Sequence, residues 1–193
     1  MTLMIRLLLL VALCFVNSAH AAPMERGRAE MWCGKFFNGD RWHVSRDDDV
    51  QRWAAEFLAK AHIRATPVVC IGAPDSSDSA ASQMLSDGFD EYFFVGLNAD
   101  FRIAIGDELR AVVAHEVAHL VTNRGVHCND RGGLSGYEAC EHDADAQADL
   151  WAGKGSMARA LRFTIQYFEA KSGGDVQTIE LVRSVRRRIF LLR

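Results

Sequence analysis

Two histidines and a glutamate lie close together near the middle of the chain, in the stretch His115-Glu116-Val117-Ala118-His119. An α-helix completes one turn in about 3.6 residues, so His115 and His119 share a face, one turn apart. Two imidazoles in that arrangement can bind one metal ion. Glu116 lies roughly 100° round the helix, where it can reach a metal-bound water without being a ligand. The spacing predicts hydrolysis by a water molecule that a zinc ion activates.

The flanking residues predict that this helix, from Asp107 to Val121, is buried. Its apolar residues are Ala111, Val112, Val113, Ala114, Val117, Ala118, Leu120 and Val121. They surround the helix on nearly every side, which is typical of a buried helix rather than of a surface helix with two solvated histidines. A charged Glu116 buried between two histidines needs partners, and a metal ion with its water supplies them.

A second helix is predicted downstream, from about Gly136 to Trp151, because this segment is rich in alanine and has no proline. A catalytic zinc usually takes three protein ligands and leaves a fourth position to water. The segment from Tyr137 to Asp149 offers several candidates for the third ligand, and within it Glu141 and Asp145 share one face of the second helix. Ala144 and Ala148 keep part of that helix slim, so we expect it to pack closely against the first one.

These two segments together resemble a known family. DELRAVVAHEVAHL, from Asp107 to Leu120, followed by EHDAD, from Glu141 to Asp145, is similar to the gluzincin zinc metallopeptidases. Within them the pattern resembles the HtpX, BepA and CAAX prenyl endopeptidase-like family. The resemblance covers about Tyr92 to Asp149 and implies a zincin-like domain that hydrolyses peptide bonds.

The resemblance also implies a role for each site residue. His115, His119 and Glu141 would bind one zinc ion, and Glu116 would be the general base. Asp145 would match the family's carboxylate that orients a ligand histidine, a role that metal sites often require.

A hydrolase of this kind also needs a donor to the carbonyl oxygen on which negative charge develops. The sequence has no clear counterpart of the family's later substrate-stabilising histidine and arginine, nor of its strand rich in Asn, Ala and Phe. Five residues are candidate donors: Tyr137, His127, Arg159, Arg162 and Tyr167. We expect His142, adjacent to Glu141, to be structural.

Two short strands are predicted upstream of the metal helix, Val68 to Ile71 and Tyr92 to Val95. In gluzincins the strand before the metal helix is a sheet edge along which an extended substrate lies, so the resemblance implies substrate pairing with Tyr92 to Val95. A plain core strand is the alternative. The segment Gly72 to Gly88, rich in Ser, Asp and Ala, predicts a mobile loop.

The fold class predicted from these elements is α+β, a mostly helical single domain with a small sheet packed against the HExxH helix. Residues 22 to 46 show little regularity, and a helix is predicted to start near Asp47. A third helix is predicted from Met157 to Ala170. Phe101 to Ile105 fits either a strand or a helical turn.

The C-terminal segment predicts an amphipathic helix. Its apolar residues at helical spacing are Ile179, Val182, Val185, Ile189 and Leu192, and its arginines are Arg183, Arg186, Arg187, Arg188 and Arg193. We expect a packed helix with a solvated arginine face, and weak contact with anionic lipid head groups is the alternative.

Residues 1 to 21 have the pattern of a secretory signal peptide. A short basic start is followed by an apolar core from Leu7 to Val16, too short to span a bilayer, and by the cleavage pattern Ala19-His20-Ala21. The mature chain is expected to be one domain, 22 to 193, with no transmembrane span. Removing Arg6 changes the formal net charge from −3 to −4. This mild acidity argues against nucleic acid as a partner.

Four cysteines follow the predicted signal peptide, an even number that favours disulfides in an exported chain, with three possible pairings. Cys128 and Cys140 bracket the loop between the two ligand helices, so a bridge between them would fix the approach of Glu141. Cys33 and Cys70 would form the remaining pair. A structural zinc site is the alternative, with ligands His127, Cys128, Cys140 and His142.

The sequence therefore predicts an exported zinc-dependent endopeptidase, periplasmic or secreted, that binds one zinc ion and acts on protein or peptide substrates. Two alternatives remain open. One is a zinc-binding module without turnover, which supports an interface with a partner. The other is a secreted effector protease that cleaves a protein of another cell.

Overall fold

The computed structural model describes residues 23–37, 42–46, 48–72, 80–122, 128, 132–171 and 176–192. The predicted signal peptide lies outside them. The described elements are α1 (Arg26–Phe36), β1 (His43–Val44), α2 (Asp48–Lys60), β2 (Thr66–Gly72), β3 (Ala80–Ser86), β4 (Glu91–Asn98), α3 (Ala99–Ile105), a 3₁₀ turn (Gly106–Glu108), α4 (Leu109–Thr122), α5 (Gly133–Ala152), α6 (Ser156–Lys171) and α7 (Val176–Leu191). The predicted α+β class, mostly helical with a small sheet, is confirmed.

The sheet has four strands in the order β1-β2-β4-β3. β4 runs parallel to β2 and antiparallel to β3, so both of its backbone edges are hydrogen-bonded. Its side chains alternate between the two faces, as pleating requires. Tyr92 and Phe94 pack with α1, whereas Phe93, Val95 and Leu97 pack into the main helical core. Burial on both faces explains why this strand is apolar almost throughout.

This position of β4 corrects the prediction that a substrate pairs with Tyr92 to Val95. A strand whose two edges are already occupied has no backbone groups to offer another chain. The alternative, a core strand, is correct. The outer strand on this side is β3, which lies inside the segment 72–88 that was predicted to be a loop. The serines and alanines of β3 have little strand propensity of their own, and the strand forms by pairing with Glu91 to Leu97 of β4.

Helix α1 is a second correction, because residues 22 to 46 were predicted to be irregular. The carboxylate of Glu25 accepts hydrogen bonds from the backbone N–H groups of Gly27 and Arg28 and so caps the helix. Glutamate is not among the usual capping residues, which is why the start was not recognised. A disulfide from Cys33 to Cys70 joins α1 to β2, as one predicted pairing proposed.

Helices α4 and α5 pack against each other and carry the predicted site residues. α4 is buried along most of its length, as its composition predicts. It begins at Leu109 rather than Asp107, because Gly106–Glu108 form a 3₁₀ turn. Ala144 and Ala148 of α5 have no exposed surface, as expected of small residues at a close helix contact.

The last two helices complete the core. α6 coincides with the predicted third helix to within a residue at each end, and α7 packs its apolar face inward through Val182, Val185 and Ile189. Arg183, Arg186 and Arg187 are exposed, as predicted for the arginine face. None of the described helices combines the length and the apolar character that crossing a bilayer requires.

We expect Ala144→Leu to lower the free energy of unfolding by roughly 1–3 kcal/mol, because the larger side chain has no room between α4 and α5. The same change should move Glu141 away from the histidines and so weaken zinc binding at the site that the sequence predicts. Denaturant titration and competition with a chelator measure the two effects. Ala139→Leu on the exposed face of the same helix is the control and should change neither quantity. Equal behaviour of the two variants would contradict the close contact.

Candidate metal centre

Three side chains from α4 and α5 direct potential ligand atoms towards one point. His115 Nε2 lies 3.0 Å from His119 Nε2. The carboxylate of Glu141 lies 3.5 Å from the first nitrogen, through Oε2, and 3.6 Å from the second, through Oε1. His115 and Glu141 are buried, and His119 is partly buried. The structure thus brings together the three residues that the sequence predicts as ligands.

These separations fit a small tetrahedral ion. Zinc bonds of about 2.0–2.2 Å to nitrogen and oxygen place neighbouring ligand atoms roughly 3.4 Å apart in a tetrahedron. The observed triangle has nearly these dimensions. The donor set, two imidazole nitrogens and one carboxylate, is also one that zinc takes in hydrolytic enzymes, with the fourth position left for water.

Asp145 contacts His115 at the ring nitrogen that does not face the ligand triangle. Its Oδ1 lies 2.9 Å from His115 Nδ1, on the opposite side of the ring from the ligand triangle. A carboxylate at this position favours the tautomer that leaves Nε2 free to bind a metal, and it fixes the plane of the ring. The structure therefore supports the orienting role that the resemblance implies for Asp145.

Arg188 of α7 joins the site, although the sequence did not identify it as a site residue. Its Nε and Nη2 donate to the two oxygens of Asp145 at 2.6 and 2.7 Å, and its Nη1 lies 3.0 Å from Glu141 Oε2. A guanidinium that binds one carboxylate through two parallel hydrogen bonds fixes its geometry tightly. Arg188 thus connects the third ligand to the residue that orients the first.

Among the arginines of α7, the prediction of a solvated face is wrong only at Arg188, which is buried. Arg193, which the prediction also included, lies outside the described residues. The pattern of α7 contained a signal for it. Arg188 stands three residues after Val185 and four before Leu192, so it falls on the apolar face of the helix. An arginine on that face is buried with its partners, because an unpaired buried charge is costly.

The environment shifts the pKa of each carboxyl group and imidazole in the cluster. Burial alone raises the pKa of Asp145, but hydrogen bonds from Arg188 and the neighbouring imidazole of His115 lower it to about 2. Burial also raises the pKa of Glu141, but the neighbouring His115 and Arg188 outweigh this effect and lower the pKa to about 2. Burial, and then the charge of His115, lowers the pKa of His119 to about 3. His119 therefore stays neutral and keeps a lone pair for a metal.

The net charge of the buried cluster is negative, and a divalent cation would neutralise it. When the carboxyl groups of Glu116, Glu141 and Asp145 are all ionised, they and the guanidinium of Arg188 leave two negative charges in a buried site. In the metal-free chain, burial lowers the pKa of His115, but the carboxylates of Asp145 and Glu141 outweigh it and raise the pKa to about 10. A bound proton on His115 thus supplies part of the positive charge that a metal ion supplies in full.

Glu116 is buried, and the charges of His115 and Glu141 act on its carboxyl group. Burial raises the pKa of its carboxyl group. The hydroxyl of Ser82, on β3, donates to the backbone carbonyl of Glu116 at 3.2 Å, which ties the edge strand to the metal helix. The sequence did not single out Ser82, because it lies in the segment predicted to be a loop.

Of the five predicted donors, Tyr137 lies closest to a predicted ligand in the sequence, and the charge of Glu141 acts on its hydroxyl group. It stands one helical turn before Glu141 on α5. Burial, and then the charge of Glu141, raises the pKa of Tyr137 to about 12, so the phenol keeps its proton.

The other four predicted donors are placed differently. Arg159 pairs with Glu108 at 2.6 Å, and Arg162 is exposed. The hydroxyl of Tyr167 donates to the side chain of Asn98, the residue that caps α3. His127 lies outside the described residues.

A disulfide between Cys128 and Cys140 borders the site, as the sequence predicts. Both sulfurs are bonded to each other, so in this state the alternative structural zinc site on these cysteines does not form. The sulfur of Cys128 lies 3.6 Å from His119 Nδ1. His142, the other histidine of that alternative, is half-buried and has Asp143 4.0 Å from its Nδ1.

Comparisons with models of protein families, with curated proteins and with solved structures found no match for this chain. The positions and charges of the residues themselves therefore carry the functional assignment. Three converging ligand atoms from two histidines and a glutamate define a candidate metal-binding site, and a further buried carboxylate, that of Glu116, lies on the same helix as the histidines.

We expect Arg188→Gln to weaken zinc binding by about 10- to 100-fold, because Asp145 then loses the hydrogen bonds that hold it against His115. Arg188→Lys keeps the positive charge but cannot form the bidentate pair with Asp145, and it should recover part of the affinity for zinc. Titration with a competing chelator measures both. Arg187→Gln is the matched control, since that exposed arginine pairs with Glu138 outside the cluster. Wild-type affinity in the folded Arg188→Gln protein would contradict this role.

Proposed function

We propose that this chain is a zinc-dependent endopeptidase of the gluzincin type that hydrolyses peptide bonds in extended protein or peptide substrates. The convergence of His115, His119 and Glu141 beside the buried Glu116 is the observation that carries the proposal. The two disulfides favour an oxidising compartment, and we place the protein in the periplasm or outside the cell.

His115, His119 and Glu141 would hold the zinc ion, with Asp145 and Arg188 fixing their orientation. Zinc bound at such a site lowers the pKa of its water to about 7 and polarises a substrate carbonyl. The protein supplies the position of the ligands and the neutralising charges, so that this chemistry takes place in a partly enclosed site.

Glu116 would accept a proton from the attacking water and later pass it to the leaving amide nitrogen. Its burial raises the pKa of the carboxyl group, which makes the carboxylate a stronger base. The hydrogen bond from Ser82 to its backbone carbonyl holds this part of α4 in place. Tyr137, which keeps its proton, is the candidate donor to the carbonyl oxygen as negative charge develops there.

The strand β3 supplies a place for the substrate. It is the last strand on its side of the sheet among the described residues, and its register with β4 leaves one edge facing away from the sheet. Because the hydroxyl of Ser82 donates to the backbone carbonyl of Glu116, β3 lies against the helix that carries the proposed general base. An extended peptide that adds to β3 would be held through its backbone, so a range of sequences would bind.

We expect Glu116→Gln to abolish casein cleavage, with a loss of at least about 100-fold, because the amide cannot accept the proton. Zinc content should stay the same, since Glu116 is not a ligand. Glu169→Gln, an exposed residue of α6, is the control and should cleave at the wild-type rate.

Two outcomes would contradict the proposal. Cleavage by the Glu116→Gln protein at the wild-type rate would remove the assigned role of Glu116. A zinc-loaded wild-type protein that cleaves no substrate would favour the other candidate, a zinc-binding module without turnover.

Backbone binding to β3 predicts a periodic response to N-methylation of a peptide substrate. Each methyl group that replaces a backbone N–H facing β3 should lower kcat/KM by roughly 2- to 10-fold, the equivalent of one hydrogen bond. Methyl groups on the residues between should have a smaller effect, because alternate N–H groups of a strand point to opposite sides. A series of singly methylated peptides measures this, and a response without alternation would argue against strand addition.

A further inference from the structure

His119 stands between two groups of potential metal ligands. Its Nε2 faces His115 Nε2 at 3.0 Å and Glu141 Oε1 at 3.6 Å. Its Nδ1 faces the sulfur of Cys128 at 3.6 Å, and Cys140 is bonded to that same sulfur. The ligand atoms of His119, Cys128 and Cys140 all lie within 4.8 Å of one another. One imidazole and two cysteine sulfurs form a set of metal-binding residue types, but here the two sulfurs are bonded to each other.

The oxidised state of these cysteines suits the site that uses Nε2. A histidine that binds zinc through Nε2 keeps its proton on Nδ1, and in most metal sites that proton is donated to a neighbouring acceptor. For His115 the group next to Nδ1 is the carboxylate of Asp145. For His119 the sulfur of Cys128 occupies the corresponding place, and a bonded sulfur is a weak acceptor that binds no metal.

Reduction would change the character of this sulfur. A dithiol attacks the sulfur of Cys128, the bond to Cys140 breaks, and Cys140 leaves as a thiolate. The second thiol of the reductant then closes its own disulfide and releases Cys128, so that two electrons and two protons pass to the protein. Thiolates are soft ligands that bind zinc strongly, and a Cys₂His set is a known zinc donor set.

We propose that reduction of the Cys128–Cys140 disulfide creates a second metal site, formed by these two thiolates and His119 Nδ1, which excludes metal from the site formed by His115, His119 and Glu141. A neutral imidazole has one nitrogen with a free lone pair and one that carries hydrogen, so His119 can serve one ion at a time. The state of the disulfide therefore decides on which side of the ring the metal is bound.

The regulatory consequence rests on the proposed function. An oxidised chain holds zinc beside Glu116 and hydrolyses peptides, whereas a reduced, metal-loaded chain holds zinc on its thiolates and does not. The Cys33–Cys70 bridge has no such effect, because among the described residues no histidine or carboxylate joins these two cysteines in a group that could hold a metal ion. A protease with this device would stay inactive in a reducing compartment.

Titration with Co²⁺ alone tests the inference, because thiolate ligation produces an intense near-ultraviolet charge-transfer band that nitrogen and oxygen ligands do not. The chain is titrated oxidised, and again after reduction with a water-soluble phosphine, which adds no thiolate of its own. We expect one Co²⁺ per chain in each state, with the band present only after reduction. Glu141→Gln should weaken binding by the oxidised chain and leave the band of the reduced chain unchanged.

Two controls identify the thiolates. The reduced Cys128→Ser, Cys140→Ser double variant should lack the band, while Cys33 and Cys70 remain available. Alkylating the reduced wild-type chain should also remove the band, and it does not require the variant to fold.

Three outcomes would overturn the inference: no band in the reduced chain, a band that persists in the double variant, or two Co²⁺ ions per reduced chain. Binding of Co²⁺ by the reduced chain alone would instead support the thiolate site and contradict the proposed function.

Discussion

Negative charge buried between α4 and α5 is the constraint on which the rest of this structure depends. The carboxylates of Glu116, Glu141 and Asp145 lie where an unpaired charge costs several kcal/mol. The chain offsets this by bringing Arg188 from its last helix into the core. Small residues such as Ala144 let the two helices approach closely enough for these groups to interact. A divalent cation in the proposed site would complete the balance, so the fold and the proposed chemistry depend on the same charges.

The two disulfides act at different distances from these charges. Cys33–Cys70 joins α1 to β2 on the face of the sheet away from α4, where it stabilises an apolar cluster. Cys128–Cys140 lies against His119 and next to Glu141 in the chain. One bridge is therefore a cross-link of the fold, and the other is also part of the surroundings of the candidate metal centre. Location, rather than bond type, separates their roles.

Much of the helical part of the fold could be predicted because its signals are local. The apolar residues of α4 and the alanines of α5 set those helices to within a few residues of their observed ends. α1 was missed because an unusual cap, Glu25, starts it. β3 was missed because its own residues do not favour a strand. It becomes one by pairing with β4, which a reading of local pattern does not reveal.

The sequence by itself determined the types and the spacing of the candidate ligands. Helical geometry places His115 and His119 on one face whatever surrounds them, and the same periodicity pairs Glu141 with Asp145. Only the tertiary structure decided which distant groups complete the site. Arg188 lies 43 residues from Asp145, and Ser82 lies 34 residues from Glu116. Such contacts arise when whole elements pack to bury apolar surface and pair buried charge, and the local pattern of the chain does not specify them.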